Sequence, residues 1–574
     1  MRTRYPRTPH LPWSPGATSD DLRVGRLSGL VGREVVVTEK LDGENTTLAR
    51  DYTHARSLDS AHHASRTHIK ALQARVGRRI PPGWRICGEN LYARHSVAYD
   101  ALPAWFIAFN VWDDTGRCLD WDTTVSFCRR LGIPTAPVLW RGTFDERAIA
   151  AIKVDTRTCE GFVVRTTAGL SREDFPRRVA KWVRRDHVTD TSGVHWMLRT
   201  IVPNALGPEA VLWDVRSGAK VDETGLSDLL GVAEPTEDGL LDAIFANIPA
   251  DRTGDARLSA AAAALTRHLR PHARLTRLLP LLGHQNARTA TALARFAPSL
   301  RGRVQDDTRR QGLTSLARSI DLGLLHGFAG ALADLEGDAE GAEQVAWSEA
   351  HADEARLLEA DPFGWLRDPL SEVWAEPGGS RLYDGVVRAF GQGRLNSPEE
   401  ARALLPTLRE RASGASLRLV VGPSGSGKST FLSTLKTEDR GQTISLDDLR
   451  ARRGDRADQS DNAAVVVEAT ELLRQGLREG RTLTWDATSI TPLHRAHVLG
   501  LAHRYRAATH IDCLVVPGDV LRDRNQHRRH RVPEAILDDQ LSQLVWPWAH
   551  EAHTVLDHDA QGRPLGPVTS RETA

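Results

Sequence analysis

Along the first third of the chain, apolar residues come in short runs of strand length. Val35–Thr38, Phe106–Trp112 and Phe162–Val164 are each separated from the next by Gly, Pro, Asp and Asn. This pattern predicts strands joined by turns and loops from about residue 30 to 200. From about 205 to 405 the texture changes to Ala, Leu, Arg and Glu with helical periodicity. Leu258–Leu282 is the clearest helical stretch. Pro271 and Pro280 are expected to bend or divide it, because proline lacks an amide donor and clashes with the preceding turn. Pro377-Gly378-Gly379, Gly391, Gly393 and Ser397-Pro398 punctuate the end of this region. Leu417–Val421 then reads as a buried strand. Helical patterns alternate with further strands at Thr482–Trp485 and Cys513–Val516, which predicts a parallel sheet. The expected fold class is multidomain, α+β followed by α/β, with domains at 1–204, 205–405 (mostly helical) and 406–574.

Composition adds bounds rather than identity. A length of 574 residues allows three or four domains, and 40% hydrophobic residues suffice for several cores. Formal net charge is only +1, so any surface for nucleic acid must come from local clustering of basic side chains. The five cysteines are scattered without metal-type spacing, which points to reduced thiols and a cytoplasmic location. Met1–Gly16 has Arg and Pro but no apolar core of a secretory signal, and no apolar run is long enough to span a bilayer. Ala260–Ala264 is a helix-forming run rather than a repeat or low-complexity tail.

Candidate chemistry begins at Glu39-Lys40-Leu41-Asp42-Gly43-Glu44-Asn45. A neutral lysine amine can attack an α-phosphate and leave a phosphoramidate, provided neighbouring cations or desolvation strip its proton at neutral pH. Taken alone, Lys-x-Asp-Gly also fits a solvated turn lysine. Further pieces follow in order: His54-Ala55-Arg56-Ser57, Cys87-Gly88-Glu89-Asn90-Leu91-Tyr92, Phe106–Trp112, Glu160-Gly161-Phe162-Val163-Val164-Arg165 and Val179-Ala180-Lys181-Trp182-Val183-Arg184.

In this order the set resembles the ATP-dependent RNA ligases, in particular the branch that seals nicks in duplex RNA, over roughly residues 30–200. The resemblance implies a nucleotidyltransferase domain in which Lys40 takes AMP and Asn45 and Arg56 contact the nucleotide or the RNA end. Glu89 would hold the ribose, Phe109 would stack on adenine, Glu160 would bind a catalytic metal and Lys181 would contact the α-phosphate. A metal and a lysine together offset charge developing at phosphorus. One position departs from the family: Val179 stands where a first lysine often precedes Lys181, with Arg184 as a candidate substitute. Plainer roles stay open, namely Glu89 as a turn cap, Phe109 as core, His62 and His63 as loop residues, and Arg184-Arg185-Asp186-His187 as a charged face.

The second motif is Gly422-Pro423-Ser424-Gly425-Ser426-Gly427-Lys428-Ser429, followed by Thr430, after an apolar strand and before the helical run Phe431–Leu435. It has the context of a P-loop: backbone N–H groups wrap the phosphates, Lys428 reaches the β- and γ-oxygens, and the Ser429 hydroxyl meets Mg²⁺. Downstream, Asp447 lies at the end of a short strand, placed to accept a proton from an attacking hydroxyl, with Asp448 as its rival. Arg450 is a candidate grip for an acceptor phosphate. Thr484-Trp485-Asp486-Ala487-Thr488 ends another strand. Arg524 and Arg528, four apart, are expected on one helical face as a clamp on the donor phosphates.

Over about residues 415–560 these features resemble the phage-type 5′-hydroxyl polynucleotide kinases. The resemblance makes Asp447 the general base, Arg450 the reader of the acceptor and Arg524 with Arg528 the lid; small-metabolite kinases share the same architecture. The middle third carries scattered histidines (His268, His272, His284, His326, His351) without a clustered ligand set, so a helical spacer or RNA platform is expected there.

Together the resemblances imply an RNA end-healing and sealing enzyme. It would use ATP and Mg²⁺ or Mn²⁺ and act on RNA with broken ends, a cleaved tRNA among the candidates, without a membrane. The competing readings are a DNA ligase or capping-type guanylyltransferase fused to a metabolite kinase, and a non-catalytic RNA-end sensor.

Overall fold

The structure, a computed structural model, describes residues 2–58, 63–185, 200–232, 239–252, 254–410, 414–454, 462–528 and 531–568; His62, Asp186 and His187 lie outside them. The chain divides into two compact units, Met1–Pro235 with Ala250–Leu258, and Thr236–Pro249 with Ser259–Ala574. Most of the helical region is therefore compact with the P-loop region.

The first unit holds two four-stranded sheets. One has the order β6 (Val138–Thr143), β1 (Glu34–Lys40), β7 (Gly161–Thr166), β8 (Val179–Val183). The other has the order β3 (Thr53–Ala55), β2 (Glu44–Ala49), β4 (Arg85–Asn90), β5 (Phe106–Trp112). All of these pairings are antiparallel. The apolar run at the start of β1 is buried on successive residues, Val35 through Thr38, so both faces of this strand are covered and it reads as a continuous hydrophobic segment. Val35, Val37, Phe162, Val164 and Ala180 form the core of the first sheet. Leu48, Ile86, Ala108 and Val111 form that of the second, closed by Ile69, Leu72 and Val76 from the helix Thr67–Val76 and by Phe127 and Leu131 from the helix Trp121–Leu131.

In the second unit the sheet order is β10 (Gln442–Ser445), β11 (Thr482–Asp486), β9 (Ser416–Val421), β12 (Ala508–Leu514), β13 (Thr554–His558), β14 (Pro564–Pro567). The first five strands are parallel, as the alternation of strands and helices predicts, and β14 closes the edge antiparallel. β12 starts well before the apolar run Cys513–Val516 and ends within it. The reason is Asp512, which is 2% exposed yet satisfied: Arg418 of β9 pairs with it, and its Oδ1 lies 2.8 Å from His558 Nε2. A polar residue neutralised in this way can occupy a core strand that hydropathy alone misses.

The expected division of Leu258–Leu282 occurs, with one shift. The helix Asp255–Leu265 ends, and Pro271 opens the next in its first turn, where the missing N–H has no intrahelical partner to lose. The second break falls at Gly283 (φ 76°, ψ 169°), just past Pro280.

The helical segment that follows Gly283 is tied to the sheet through a fully buried charge. Asp557 on β13 is 0% exposed and accepts from Arg288 Nε (2.7 Å) and Nη2 (2.5 Å), with His284 Nε2 at 2.6 Å. Arg288 also donates to the Pro547 carbonyl at 3.1 Å. Asp557→Ala leaves that guanidinium buried without its counter-charge and is expected to cost about 3–5 kcal/mol, read from urea unfolding of the full chain.

Three histidines of this unit, His272, His326 and His553, are pushed down to about 4, burial being the largest cause in each. His326 Nδ1 donates to the Leu322 carbonyl at 2.7 Å, so its Nε2 accepts from Ser348 Oγ at 2.9 Å and must stay unprotonated to do so. Because the unfolded chain takes up these protons first, stability is lost as pH falls from about 6.5 through 4, on the order of 3 kcal/mol per ring at the lower end. Melting temperature against pH, with His326→Gln flattening the acid limb, checks this. All five cysteines are buried thiols, and no helix among the described residues is long and apolar enough to cross a membrane.

Candidate active sites

The first site is a cavity of about 1050 Å³ in the first unit. Lys40 ends β1 directly opposite Gly161 at the start of β7, which sets Glu160 beside it; Lys40 Nζ donates to Glu160 Oε2. The rest of the Lys-x-Asp-Gly motif shapes the turn rather than the chemistry. Asp42 Oδ2 accepts from Ser96 N (2.8 Å), Ser96 Oγ (2.7 Å) and Val97 N (2.8 Å), stapling a distant loop to the turn. At Gly43 a Cβ would lie 2.4 Å from the Asn90 carbonyl oxygen, so only glycine lets β2 approach β4 there. Glu44 is held by Arg66, whose Nε lies 2.7 Å away.

Lining the same cavity are Asn45, Arg56, Glu89, Phe109, Glu160 and Lys181. These six residues, named from the sequence, are thus gathered around Lys40 from segments far apart in the chain. The Asn45 Oδ1 atom is buried without a hydrogen-bond partner among the described residues, which is a standing invitation to a ligand donor. Phe109 is half-buried, with Tyr5 edge-on at 5.2 Å between ring centroids. Val179 is part of the wall, whereas Arg184 is not among the lining residues and donates instead to the Thr156 carbonyl.

Electrostatics in the cavity are tightly balanced. Burial lowers the pKa of Lys40, but the carboxylates of Glu160, Glu89 and Asp42 outweigh it, so the resting amine holds its proton more firmly than an ordinary lysine. Glu89 is pushed up to about 8 by burial and by the nearby Glu160 and Asp42, with Lys40 opposing. Lys181 is held below its usual value, first by burial and then by the Lys40 cation.

The N-terminal segment is the part of this site that sequence reasoning missed. Leu11 N donates to the Lys181 carbonyl (2.8 Å) and Lys181 N to the Pro9 carbonyl (2.9 Å), so the segment runs alongside β8. Arg4, Tyr5, Arg7 and Asp21 line the cavity. Tyr5 Oη accepts from Asn110 Nδ2 at 2.5 Å, and buried Arg165 donates to the oxygen of the same amide. The only local signal was the run of prolines between Pro6 and Pro15, which favours extended chain but says nothing of where it lies.

The second site is the P-loop between β9 and the helix Lys428–Thr434. Gly427 has φ 97°, a conformation glycine adopts without strain. Lys428 Nζ donates to the Gly422 carbonyl (2.9 Å) and the Pro423 carbonyl (3.1 Å) of its own loop. It is pushed down to about 8 by burial, against the pull of Asp486 and Asp447. Ser429 and Thr430 are exposed at the first turn of that helix.

Asp447 stands in the first turn of the helix Leu446–Arg453, and Arg450 Nη1 donates to its Oδ1 at 2.7 Å while Nη2 donates to Asn462 Oδ1 at 2.7 Å. Arg524 donates to the Ala560 carbonyl at 2.6 Å and to the Ser426 carbonyl of the P-loop at 3.4 Å. Arg528, however, lies past the end of the helix Gly518–Gln526 and is exposed, so the two arginines do not share a helical face. At the end of that helix the Asn525 side chain bonds both the amide (3.0 Å) and the carbonyl (2.7 Å) of Val532. Asp486, to which no role was assigned, ends β11 level with Ser445 and faces Lys428; its pKa is raised, by burial first.

Among known proteins, residues 33–183 match the RNA ligase family and residues 417–547 match an AAA domain. The chain thus joins an RNA-ligase-type domain to a kinase-like P-loop domain. No curated protein matches it. Solved structures similar to it include Naegleria gruberi RNA ligase with PPi, at 16% identity and a TM-score of 0.22, covering 28% of this chain and 52% of that one. Mutants of that ligase with ATP and Mn (16% identity, TM-score 0.20) and with AMP and Mn (16% identity, TM-score 0.20) match over the same shares of the two chains. The chain therefore spans about half the length of these ligase structures.

Proposed function

We propose that this chain repairs broken RNA: the second unit phosphorylates a 5′-OH end, and the first joins the resulting 5′-phosphate to a 3′-OH through lysyl-AMP and adenylated RNA. The observation that carries the reading is the convergence of Lys40, Glu160, Glu89, Phe109 and Lys181 on one cavity.

In the first unit Lys40 is the nucleophile. Its attack requires an unprotonated amine, so the Lys40–Glu160 pair must part beforehand, with the Lys181 cation favouring the neutral form. Phe109 offers a stacking face for adenine, Glu89 an acceptor for the ribose, and Asn45 and Arg56 contacts to the nucleotide or RNA end. Glu160 is a hard oxygen donor suited to Mg²⁺ or Mn²⁺, and no cluster of three or more His, Cys, Asp or Glu able to hold a metal occurs among the described residues. Such a cation would accordingly be held by one or two carboxylates together with phosphate oxygens and water, and would neutralise charge developing at phosphorus.

In the second unit Gly422, Gly425, Gly427, Lys428, Ser429 and Thr430 hold the donor phosphates, with Ser429 as the metal-side hydroxyl. Asp447 takes the proton of the attacking 5′-OH, and Arg450, already beside it, holds the acceptor phosphate. Arg524 and Arg528 act as the lid. Linking both activities in one chain raises the concentration of phosphorylated ends near the ligase.

The test is a nicked RNA duplex carrying 5′-OH and 3′-OH ends, incubated with ATP and Mg²⁺. Phosphorylated, then sealed, strands are expected. Absence of both a 5′-phosphate and a sealed product would defeat the reading, and the same nick in DNA tests the choice of RNA.

A further inference from the structure

A cavity of about 710 Å³ lies wholly within the second unit and is lined by no P-loop residue. Two helices begin in its wall. Arg270, His272 and Ala273 come from the start of the helix that Pro271 opens, and Pro517, Gly518 and Asp519 from the start of the helix Gly518–Gln526. Neither start has a side-chain cap, and the amides of His272, Ala273, Gly518 and Asp519 have no acceptor among the described residues. Uncapped first turns gather N–H donors and partial positive charge on one spot.

Side chains add to these donors. His272 is 6% exposed, yet neither of its ring nitrogens has a hydrogen-bond partner among the described residues. A polar ring buried this deeply costs stability unless a ligand takes up its hydrogen-bonding capacity. His272 Nε2 and Arg522 Nη1 meet over Gly518, where a Cβ would lie 3.8 Å from the first and 3.5 Å from the second. Arg522 Nη2 donates to Asp538 Oδ1 at 2.8 Å, which fixes the guanidinium and leaves Nη1 without an acceptor among the described residues. Arg270 and Arg277 add positive charge to the lining, and Asp519 is its one carboxylate.

The other side of the helix Gly518–Gln526 bears on the P-loop. The Leu521 carbonyl oxygen lies 3.4 Å from where a Cβ of Gly425 would stand, and Arg524 donates to the Ser426 carbonyl. The cavity and the phosphate cradle are therefore separate places flanking one helix.

We propose that this cavity is a second phosphate site of the kinase-like unit. A phosphate ester would seat its oxygens on the Gly518 amide, Arg522 Nη1 and His272 Nε2, with its organic part against Leu269 and Leu541. Helix starts combined with a fixed guanidinium suit a phosphate's several oxygens. Two esters share this chemistry, a free nucleotide and the backbone phosphate of an RNA strand. The inference requires neither phosphorylation nor sealing by this chain.

The test uses the full chain carrying Lys40→Ala and Lys428→Ala, which weaken the other two phosphate sites, and adds one further change at a time. AMP is titrated by calorimetry and a short labelled single-stranded RNA by fluorescence anisotropy. His272→Phe keeps a ring against Trp546 and removes only the nitrogens. Arg522→Gln removes the guanidinium. Arg478→Gln, at an exposed arginine ending the helix Asn462–Arg478, controls for the loss of one charge. His272→Phe and Arg522→Gln are each expected to weaken binding about fivefold or more, and Arg478→Gln less than about twofold. Loss for the RNA alone makes the ligand a backbone phosphate, and loss for AMP makes it a free nucleotide. Binding of both ligands at the starting strength by His272→Phe or by Arg522→Gln, or an equal loss in Arg478→Gln, would overturn the proposal. So would the absence of any binding before the added changes. Failure of the parent chain to phosphorylate or seal RNA, with these losses observed, would strike the function proposed above and leave this site in place.

Discussion

Lys40→Ala is expected to abolish covalent nucleotide transfer. After exposure to ATP and Mg²⁺, intact-mass spectrometry should find an AMP adduct on the parent and none on the variant, and sealing of a 5′-phosphorylated nick should fall by about 10³-fold or more. The size of the effect follows from the absence of a replacement. Lys181, the other lysine lining the cavity, is anchored on β8 by backbone bonds to the N-terminal segment. Lys40→Arg refines the test. It keeps a cation beside Glu160 and Glu89, so the carboxylates remain compensated, but a guanidinium stays protonated and cannot attack. Loss of the adduct in both variants, with phosphorylation of 5′-OH ends untouched, would locate the chemistry at the amine rather than in the charge balance.

Asp447→Ala is expected to have the next largest effect, about 10²–10⁴-fold on phosphorylation of a 5′-OH RNA, the range of a positioned general base. Nicks phosphorylated beforehand should be sealed at the parent rate, because the ligase residues lie in a different unit of the chain. Asp448→Ala is the control. Asp447 is bonded to Arg450 and acts electrostatically on Lys428, whereas the backbone amide of Asp448 is the one that Ser445 Oγ caps, and its carboxylate acts on Asp486 only as the smallest cause. Phosphorylation kinetics that fell with Asp448→Ala but survived Asp447→Ala would reverse the assignment.

How much of each site was readable depended on how it is built. The P-loop is a local device: strand, glycine-rich turn and helix start follow one another within a few residues, so spacing was sufficient. The cavity around Lys40 was readable for a different reason. It is a series of short motifs, each ending or beginning a strand, whose order survives in the chain although their partners are remote. The placement of Arg528 on one helical face with Arg524 was misjudged because spacing on a helix presumes that the helix continues, whereas it ends at Gln526, where the Asn525 side chain bonds Val532. The N-terminal segment was invisible because it belongs to no periodic pattern and takes its place only through hydrogen bonds to residues far along the chain.

Strand and helix content, the lysine motif, the phosphate loop and the order of the motifs are written in local spacing, which the chain carries before it folds. Which carboxylates face Lys40, whether its proton is held or released, that Tyr5 and Arg7 join its cavity, and that buried Asp557 ties the helices to the P-loop sheet depend on long-range encounters. Those are settled by burial and charge pairing, whose energies exist only once distant segments have been brought together and water has been excluded.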